Sequence, residues 1–295
     1  MGTAVVFPGQ GAQYLGMGQE FFRVSQKARD ILKECSEGSG LDLDTLITYG
    51  PKEVLAQTTN TQPAIYAVSL AIHQALNLVP DYLAGFSLGQ YSALAASGVF
   101  SIKEGARLLK LRGQFMQEAS PNGQMGAILG LDCQTVKEIV AEVHDYVAVA
   151  NINCPLQVVV SGTQKGVNRA LEIAKQQGAK RTVKLEVSGA FHCNLMESAA
   201  LKLKKVLDET ELGNLGIPVI GNETAKEIED VKTSLLTQLT SPVLWQESIE
   251  YLAQKGIKRF IEVGPGKVLS GLIKKIDNSL EVINIEVPED LAKLR

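Results

Sequence analysis

The sequence predicts an α/β fold: a domain built on a mainly parallel sheet, interrupted by a smaller insert. Three observations carry this expectation. Before residue 122 and after 189, short apolar runs alternate with helical stretches, as strands buried on both faces between helices do. Between these parts the pattern becomes β-α-β-β-α-β within about 65 residues, a ferredoxin-like arrangement. No repeat and no low-complexity linker breaks the chain elsewhere.

The elements follow in order. "TAVVF" (3–7) is a short apolar strand, and "PGQGAQYLGMG" after it is loop, because its glycines interrupt any period. "QPAIYAVSLAIHQAL" (62–76) has the composition of a buried helix. "DYLAG" is a strand running through a tight turn into the small-residue helix of "FSLGQYSALAASG". "SIKE" (101–104) is a capping box, in which Ser101 caps and Glu104 reaches back. The helix it opens carries Leu108, Leu109, Leu111, Arg112, Phe115 and Met116 at amphipathic spacing. The insert then reads as strand 123–131, helix "CQTVKEIVAEV", strands "YVAVANI" and "QVVVSG", helix "TQKGVNRALEIAKQQG" and strand "KRTVKLEV". Beyond it, "IPVIGN", "KRFIEVG" and "EVINIEV" are further short strands between helices.

The chain has 295 residues, 45% hydrophobic and 21% charged, with a formal charge of −3, ordinary values for a globular protein. The acidic balance argues against nucleic acid as a partner. No apolar run approaches the roughly 18 residues of a membrane span, and "MGTAVVFPGQ" lacks a signal peptide's basic start, so the expected location is the cytoplasm, away from membranes. Cys35, Cys133, Cys154 and Cys193 form no CxxC pair, so they are expected to be reduced thiols, with no metal site.

"GFSLGQ" (85–90) has the Gly-x-Ser-x-Gly spacing of a nucleophile elbow, a serine on a sharp turn at a helix N-terminus. Packing of glycines in a strand–turn–helix gives the same spacing. A catalytic serine also needs a base. Of three histidines, His73 lies inside a helix and His144 on a surface turn. His192 stands in "SGAFHCNLM", where the chain leaves the insert, and a junction of two domains is a usual place for a cleft. No acid follows in a convincing position, so a Ser87–His192 dyad oriented by a carbonyl is the simpler expectation. "GQGAQY" (9–14) lacks the third glycine of a dinucleotide fingerprint, and "GPGKVLS" (264–270) lacks the residues of a P-loop; both read as turns beside a site.

These stretches also carry a resemblance. "FPGQGAQYLGMG", "TQPAIYA", "GFSLGQYSALAASG", "RGQFMQEA", "GQMGAILG", "ANINCPLQVVVSG", "SGAFHCNLM", "PVIGNETA", "QLTSPVLWQESI" and "FIEVGPGKVLSGL" stand in one order along nearly the whole chain. In them the chain resembles malonyl-CoA:acyl-carrier-protein transacylases and the acyltransferase domains of fatty-acid and polyketide synthases. The resemblance implies an α/β-hydrolase-like large subdomain (1–122 and 190–295) and a ferredoxin-like small one (123–189). It implies Ser87 as nucleophile and His192 as general base and acid, with the backbone N–H groups of Gln10 and Leu88 as the oxyanion hole. Arg112 would hold the malonyl carboxylate, and Gln238 would orient the histidine through its carbonyl. Asn151 would lie near the site.

Phe191 before the histidine accompanies malonyl preference. Phe86 and Gln90 depart from the family's usual Gly-His-Ser-Leu-Gly-Glu; Phe86 bears on acyl choice, and Gln90 removes a negative charge near a helix N-terminus. The implied substrate is malonyl-CoA with no bound cofactor, the implied partner an acyl carrier protein, and the enzyme a monomer. A discrete acyltransferase of a polyketide synthase, a thioester hydrolase and a non-catalytic carrier-docking scaffold are the alternatives. Lys180, Arg181 and Lys184, or Lys274 and Lys275, are candidates for steering an acidic carrier.

Overall fold

The computed structural model describes residues 2–187 and 189–294. Met1, Ser188 and Arg295, and with them the chain ends of the expected large subdomain and the first residue of "SGAFHCNLM", lie outside the described residues.

The chain opens with β1 (Gly2–Phe7), and α1 (Gln19–Val24), α2 (Gln26–Ser39), α3 (Leu43–Tyr49) and α4 (Lys52–Leu55) follow the glycine-rich loop. Helix α5 (Thr58–His73) leads to β2 (Tyr82–Gly85), then α6 (Gly89–Ala96) and α7 (Ile102–Ala119). The insert is β3 (Gly123–Leu129), α8 (Cys133–Glu142), β4 (Val147–Cys154), β5 (Gln157–Thr163), α9 (Gln164–Gln176) and β6 (Arg181–Lys184). The chain closes with α10 (Glu197–Asp208), β7 (Val219–Ile220), α11 (Val231–Thr240), β8 (Val243–Leu244), α12 (Trp245–Gln254), β9 (Ile257–Val263), α13 (Val268–Ile276) and β10 (Glu281–Ile285).

Two five-stranded sheets result. The first, in the order β10-β9-β1-β2-β7, is parallel throughout. Its central strand places Ala4, Val5, Val6 and Phe7 fully out of solvent, which is why "TAVVF" shows no alternation. The second sheet runs β6-β3-β5-β4-β8, with β3, β4, β5 and β6 antiparallel in the ferredoxin-like order. It has its own core of Ile128, Val136, Ile139, Val158, Val160 and Val167 beneath α8 and α9.

Four features differ from the sequence expectations. Strand β8, from the large part of the chain, pairs in parallel with β4 and so joins the insert's sheet through Asn151 and Ile152. Helix α5 spans Thr58–His73 instead of 62–76, with Pro63 inside it. The last strand of the insert is confined to Arg181–Lys184. Ser101 caps α7 by accepting from the Glu104 N–H at 3.1 Å, but the Glu104 carboxylate does not complete a capping box; it pairs with Arg107, whose Nη2 donates at 2.6 Å. A guanidinium one turn on is a stronger partner than a backbone amide.

Candidate active site

In a parallel sheet, the carboxyl ends of neighbouring strands all open on one edge. Here that edge carries Pro8–Gln13 after β1, Phe86–Leu88 after β2, Asn222 beyond β7 and the turn before α13. The insert closes the other side with Met125 of β3, Asn151 and Asn153 of β4, Val159 of β5 and Leu185–Val187 beyond β6. The cleft between them has a volume of about 350 Å³ and contains Gln10, Phe86, Ser87, Leu88, Arg112, Phe191 and His192.

Ser87 sits at the turn between β2 and α6 in the left-handed conformation, φ 53°. That costs a non-glycine residue about 1–2 kcal/mol, so the surroundings must hold it. The Ser87 N–H donates to Asn222 Oδ1 at 2.8 Å, and its carbonyl accepts from Gln238 Nε2 at 3.0 Å. Asn222 Nδ2 in turn donates to the Gly85 carbonyl at 2.7 Å. The turn is tight enough that a Cβ on Gly85 would overlap the Gly89 backbone, and a Cβ on Gly89 would overlap the Phe7 carbonyl, which accounts for both glycines of the motif.

His192 is also left-handed, φ 58°, and 4% exposed. Its Nδ1 meets the Gln238 carbonyl at 2.9 Å and its Nε2 meets Ser87 Oγ at 2.8 Å. A carbonyl only accepts, so Nδ1 carries the proton and Nε2 is free to accept from the serine. The orienting partner is a backbone carbonyl, as expected for a dyad. Burial, then the Arg112 charge, pushes the His192 pKa down to about 4. Of the other histidines, His73 packs against the Phe7 ring and His144 is exposed at a bend, both away from the cleft.

Arg112 points inward from α7 and is 1% exposed. Nη2 donates to Ser87 Oγ at 3.2 Å and to Gln238 Oε1 at 2.9 Å; Nη1 donates to Gln62 Oε1 at 2.7 Å. The guanidinium lies 5.5 Å from the Tyr91 ring centroid. Burial lowers its pKa from the usual arginine value. Phe191 is 5% exposed on the cleft wall. Phe86 is half-buried there and packs edge-on against Trp245, with ring centroids 5.6 Å apart.

Gln90 stands in the first turn of α6, near the helix N-terminus as expected, and there it is fully buried. Its Oε1 accepts from the Asn222 N–H at 2.9 Å and from Gln238 Nε2 at 3.0 Å, and its Nε2 donates to Ser234 Oγ at 3.0 Å. Together with Gln62 and Asn222, it belongs to an amide framework that sequence reasoning missed. Gln62 and Asn222 stand inside "TQPAIYA" and "PVIGNETA", but a buried amide leaves no periodic trace; only its place in an apolar stretch hints at a partner.

The two glycine-rich turns do flank the cleft. The second is shaped by Glu262, fully buried, which accepts from the Leu269 and Ser270 N–H groups at the start of α13. Of the basic candidates, Lys274 Nζ donates to the Leu280 carbonyl at 2.6 Å, whereas Lys275 Nζ donates to Gln157 on the cleft rim at 3.2 Å. Among the described residues there is no cluster of three or more His, Cys, Asp or Glu able to hold a metal, and no helix long and apolar enough to cross a membrane.

A part-buried serine–histidine pair with a guanidinium on the same hydroxyl is an arrangement for acyl transfer, and residues 4–287 match the acyl transferase domain family. The chain belongs to that family. It is 45% identical to the malonyl CoA-acyl carrier protein transacylase of Bacillus subtilis, across 98% of this chain and 94% of that one. It is 42% identical to the enzyme of the same name from Staphylococcus aureus (strain COL), across 98% and 97%. Among solved structures, the malonyl-CoA:acyl carrier protein transacylase of Xanthomonas oryzae superposes with a TM-score of 0.96 at 42% identity, covering 99% of this chain and 96% of that one. A malonyl-transacylase in complex with its type II PKS acyl-carrier protein superposes with a TM-score of 0.96 at 38% identity, covering 99% and 98%. As an acyl transferase, the chain carries the two-subdomain arrangement of these relatives, with the insert as the smaller part.

Proposed function

We propose that this acyltransferase moves a malonyl group from malonyl-CoA to the phosphopantetheine thiol of an acyl carrier protein, through an ester on Ser87. The observation that carries the reading is Arg112: a buried cation within hydrogen-bond reach of the serine hydroxyl, placed to hold a carboxylate beside the acyl carbon.

In the first half-reaction, the malonyl carboxylate pairs with Arg112 and brings the thioester carbonyl to Ser87. His192 Nε2 takes the hydroxyl proton as Oγ attacks. The oxyanion is met by the Gln10 and Leu88 N–H groups, each such donor being worth about 10²–10³ in rate. The tetrahedral intermediate collapses, the C–S bond breaks, and His192 Nε2–H gives its proton to the coenzyme A sulfur. In the second half, His192 takes the proton of the carrier thiol, sulfur attacks the ester carbonyl, the acyl C–Oγ bond breaks, and His192 gives the proton to Ser87 Oγ as it leaves. The Gln238 carbonyl keeps Nδ1 protonated throughout, and Phe191 fills the space that an α-methyl group would need. Malonyl-CoA is a substrate, and these steps use only the chain's own groups, with no bound cofactor.

The division 1–122 with 190–295 and 123–189 stands as our assignment of subdomains, as do a monomer and a cytoplasmic location.

Intact mass spectrometry after mixing with malonyl-CoA tests the reading. A malonyl adduct appears on the wild type, is absent in Ser87→Ala, and is discharged by holo-carrier protein. Absence of an adduct on the wild type overturns it.

A further inference from the structure

Arg112 and Gln62 meet because α7 runs unusually close to the start of α5. A Cβ on Gly113 would lie 2.7 Å from Thr59 Cα, so the glycine after Arg112 permits the approach. One turn further along α5, Gln62 faces the guanidinium and is itself 1% exposed. Arginine only donates, so Oε1 of Gln62 must face it, at 2.7 Å; the amide's other end, Nε2, lies 3.6 Å from Met116 Sδ.

A buried guanidinium is costly without a counter-charge, and a carboxylate at position 62 would be the ordinary structural remedy. The chain has a neutral amide there instead. The hydrogen-bond acceptors of Arg112 are two amide oxygens and the Ser87 hydroxyl, with the Tyr91 ring beside it. Among the described residues, Arg112 takes part in none of the ion pairs, and its Nε is buried without a hydrogen-bond partner. Two N–H groups, that of Nε and the second on Nη1, and the whole positive charge are therefore left for something that enters the cleft.

We infer that Gln62 is a specificity-determining residue, which positions Arg112 while leaving its charge uncompensated, so that the acyl carboxylate is the only counter-anion. The inference rests on the malonyl-transfer reading. A carboxylate at 62 would hold the same geometry and remove the need for the substrate's charge. An apolar side chain would remove the geometry and keep the need.

The test measures second-order rates of Ser87 acylation by malonyl-CoA and by acetyl-CoA, in wild type, Gln62→Glu and Gln62→Met. In Gln62→Glu the malonyl rate falls at least 50-fold while the acetyl rate falls less than fivefold, so the malonyl-to-acetyl ratio drops at least tenfold. In Gln62→Met, which keeps volume and loses the acceptor, the malonyl rate falls five- to tenfold through a weaker half-saturation, with acetyl unchanged. A ratio within twofold of wild type in Gln62→Glu overturns the inference. If Gln62→Glu fails to fold, equal loss of both rates in a folded Gln62→Met overturns it, since that is the mark of a merely structural role. The wild-type adduct with malonyl-CoA reports separately on the reading beneath.

Discussion

The pH dependence of Ser87 acylation separates this site from an ordinary serine–histidine pair. His192 must be neutral at Nε2 to accept the serine proton, and its pKa in the empty cleft lies at about 4 against an ordinary value near 6.5. The cause is loss of water around the ring first, and the Arg112 charge second. At pH 5, a histidine of pKa 6.5 would be neutral in about 3% of molecules; with pKa about 4 it is neutral in about 90%. The acylation rate at pH 5 therefore differs about thirtyfold between the two cases. Stopped-flow or quenched-flow acylation with malonyl-CoA at limiting substrate reads the free enzyme's value. The expected profile is flat from pH 8 down to 5. A fall to half its plateau between pH 6 and 7 refutes the assignment of a buried, acid-free base.

The same reasoning gives the second half-reaction a different profile. Once the malonyl ester stands on Ser87, its carboxylate offsets the Arg112 charge, and one of the two causes holding His192 down is removed. The acidic limb of discharge to carrier protein thus moves upward relative to acylation, while burial keeps it below the ordinary histidine value.

Further outcomes follow from single residues. Arg112→Met removes the carboxylate's partner: malonyl acylation falls about 10²–10³-fold and acetyl acylation rises relative to it, checked by competing the two thioesters. Asn222→Ala removes the acceptor for the Ser87 N–H and the donor to Gly85, so both acylation rates fall together and the protein loses about 2–4 kcal/mol, read by urea unfolding. His73 also has a pKa pushed to about 4 by burial, so the unfolded chain binds its proton first as pH falls from 6.5. Stability is lost in that direction, by about 2 kcal/mol between pH 7.5 and 5, and His73→Phe abolishes that share of the slope. Phe191→Ser opens the cleft wall, and methylmalonyl acylation rises relative to malonyl.

The elbow was legible because steric necessity writes it into a spacing: a side chain at 85 would meet the Gly89 backbone, and one at 89 the Phe7 carbonyl. The dyad was legible because only one of three histidines stands at the exit of the insert. The ferredoxin-like order was legible because short strand-like runs and amphipathic helical segments follow one another over 123–184. What was not legible depends on contacts without a period. Strand β8 is two residues long, set by pairing with Asn151 and Ile152 and by no propensity of its own. Helices α1 to α4 lie in a stretch whose mixed polarity gives no clear period, although Ser25 and Asp42 cap α2 and α3, each accepting from a backbone N–H three residues on. Gln90 shows the limit most clearly: the sequence marks it as a departure from a family pattern, but burial and three partners decide what it does.

The absence of an acid behind His192 and the neutral surroundings of Arg112 are two sides of one electrostatic arrangement. Gln238 touches both: its carbonyl orients the histidine, its Oε1 accepts from Arg112, and its Nε2 fixes the Ser87 carbonyl. A carboxylate in that place would stabilise an imidazolium, but it would also compensate the guanidinium and repel the carboxylate of the acyl group. An amide framework of Gln62, Gln90, Asn222 and Gln238 supplies the orientation without the charge. The cleft then keeps one buried cation whose field opposes protonation of the base until a substrate with a negative charge arrives. Binding of that substrate both engages the open donors on Arg112 and eases formation of the imidazolium, so selectivity for the acyl group and activation of the base are the same event.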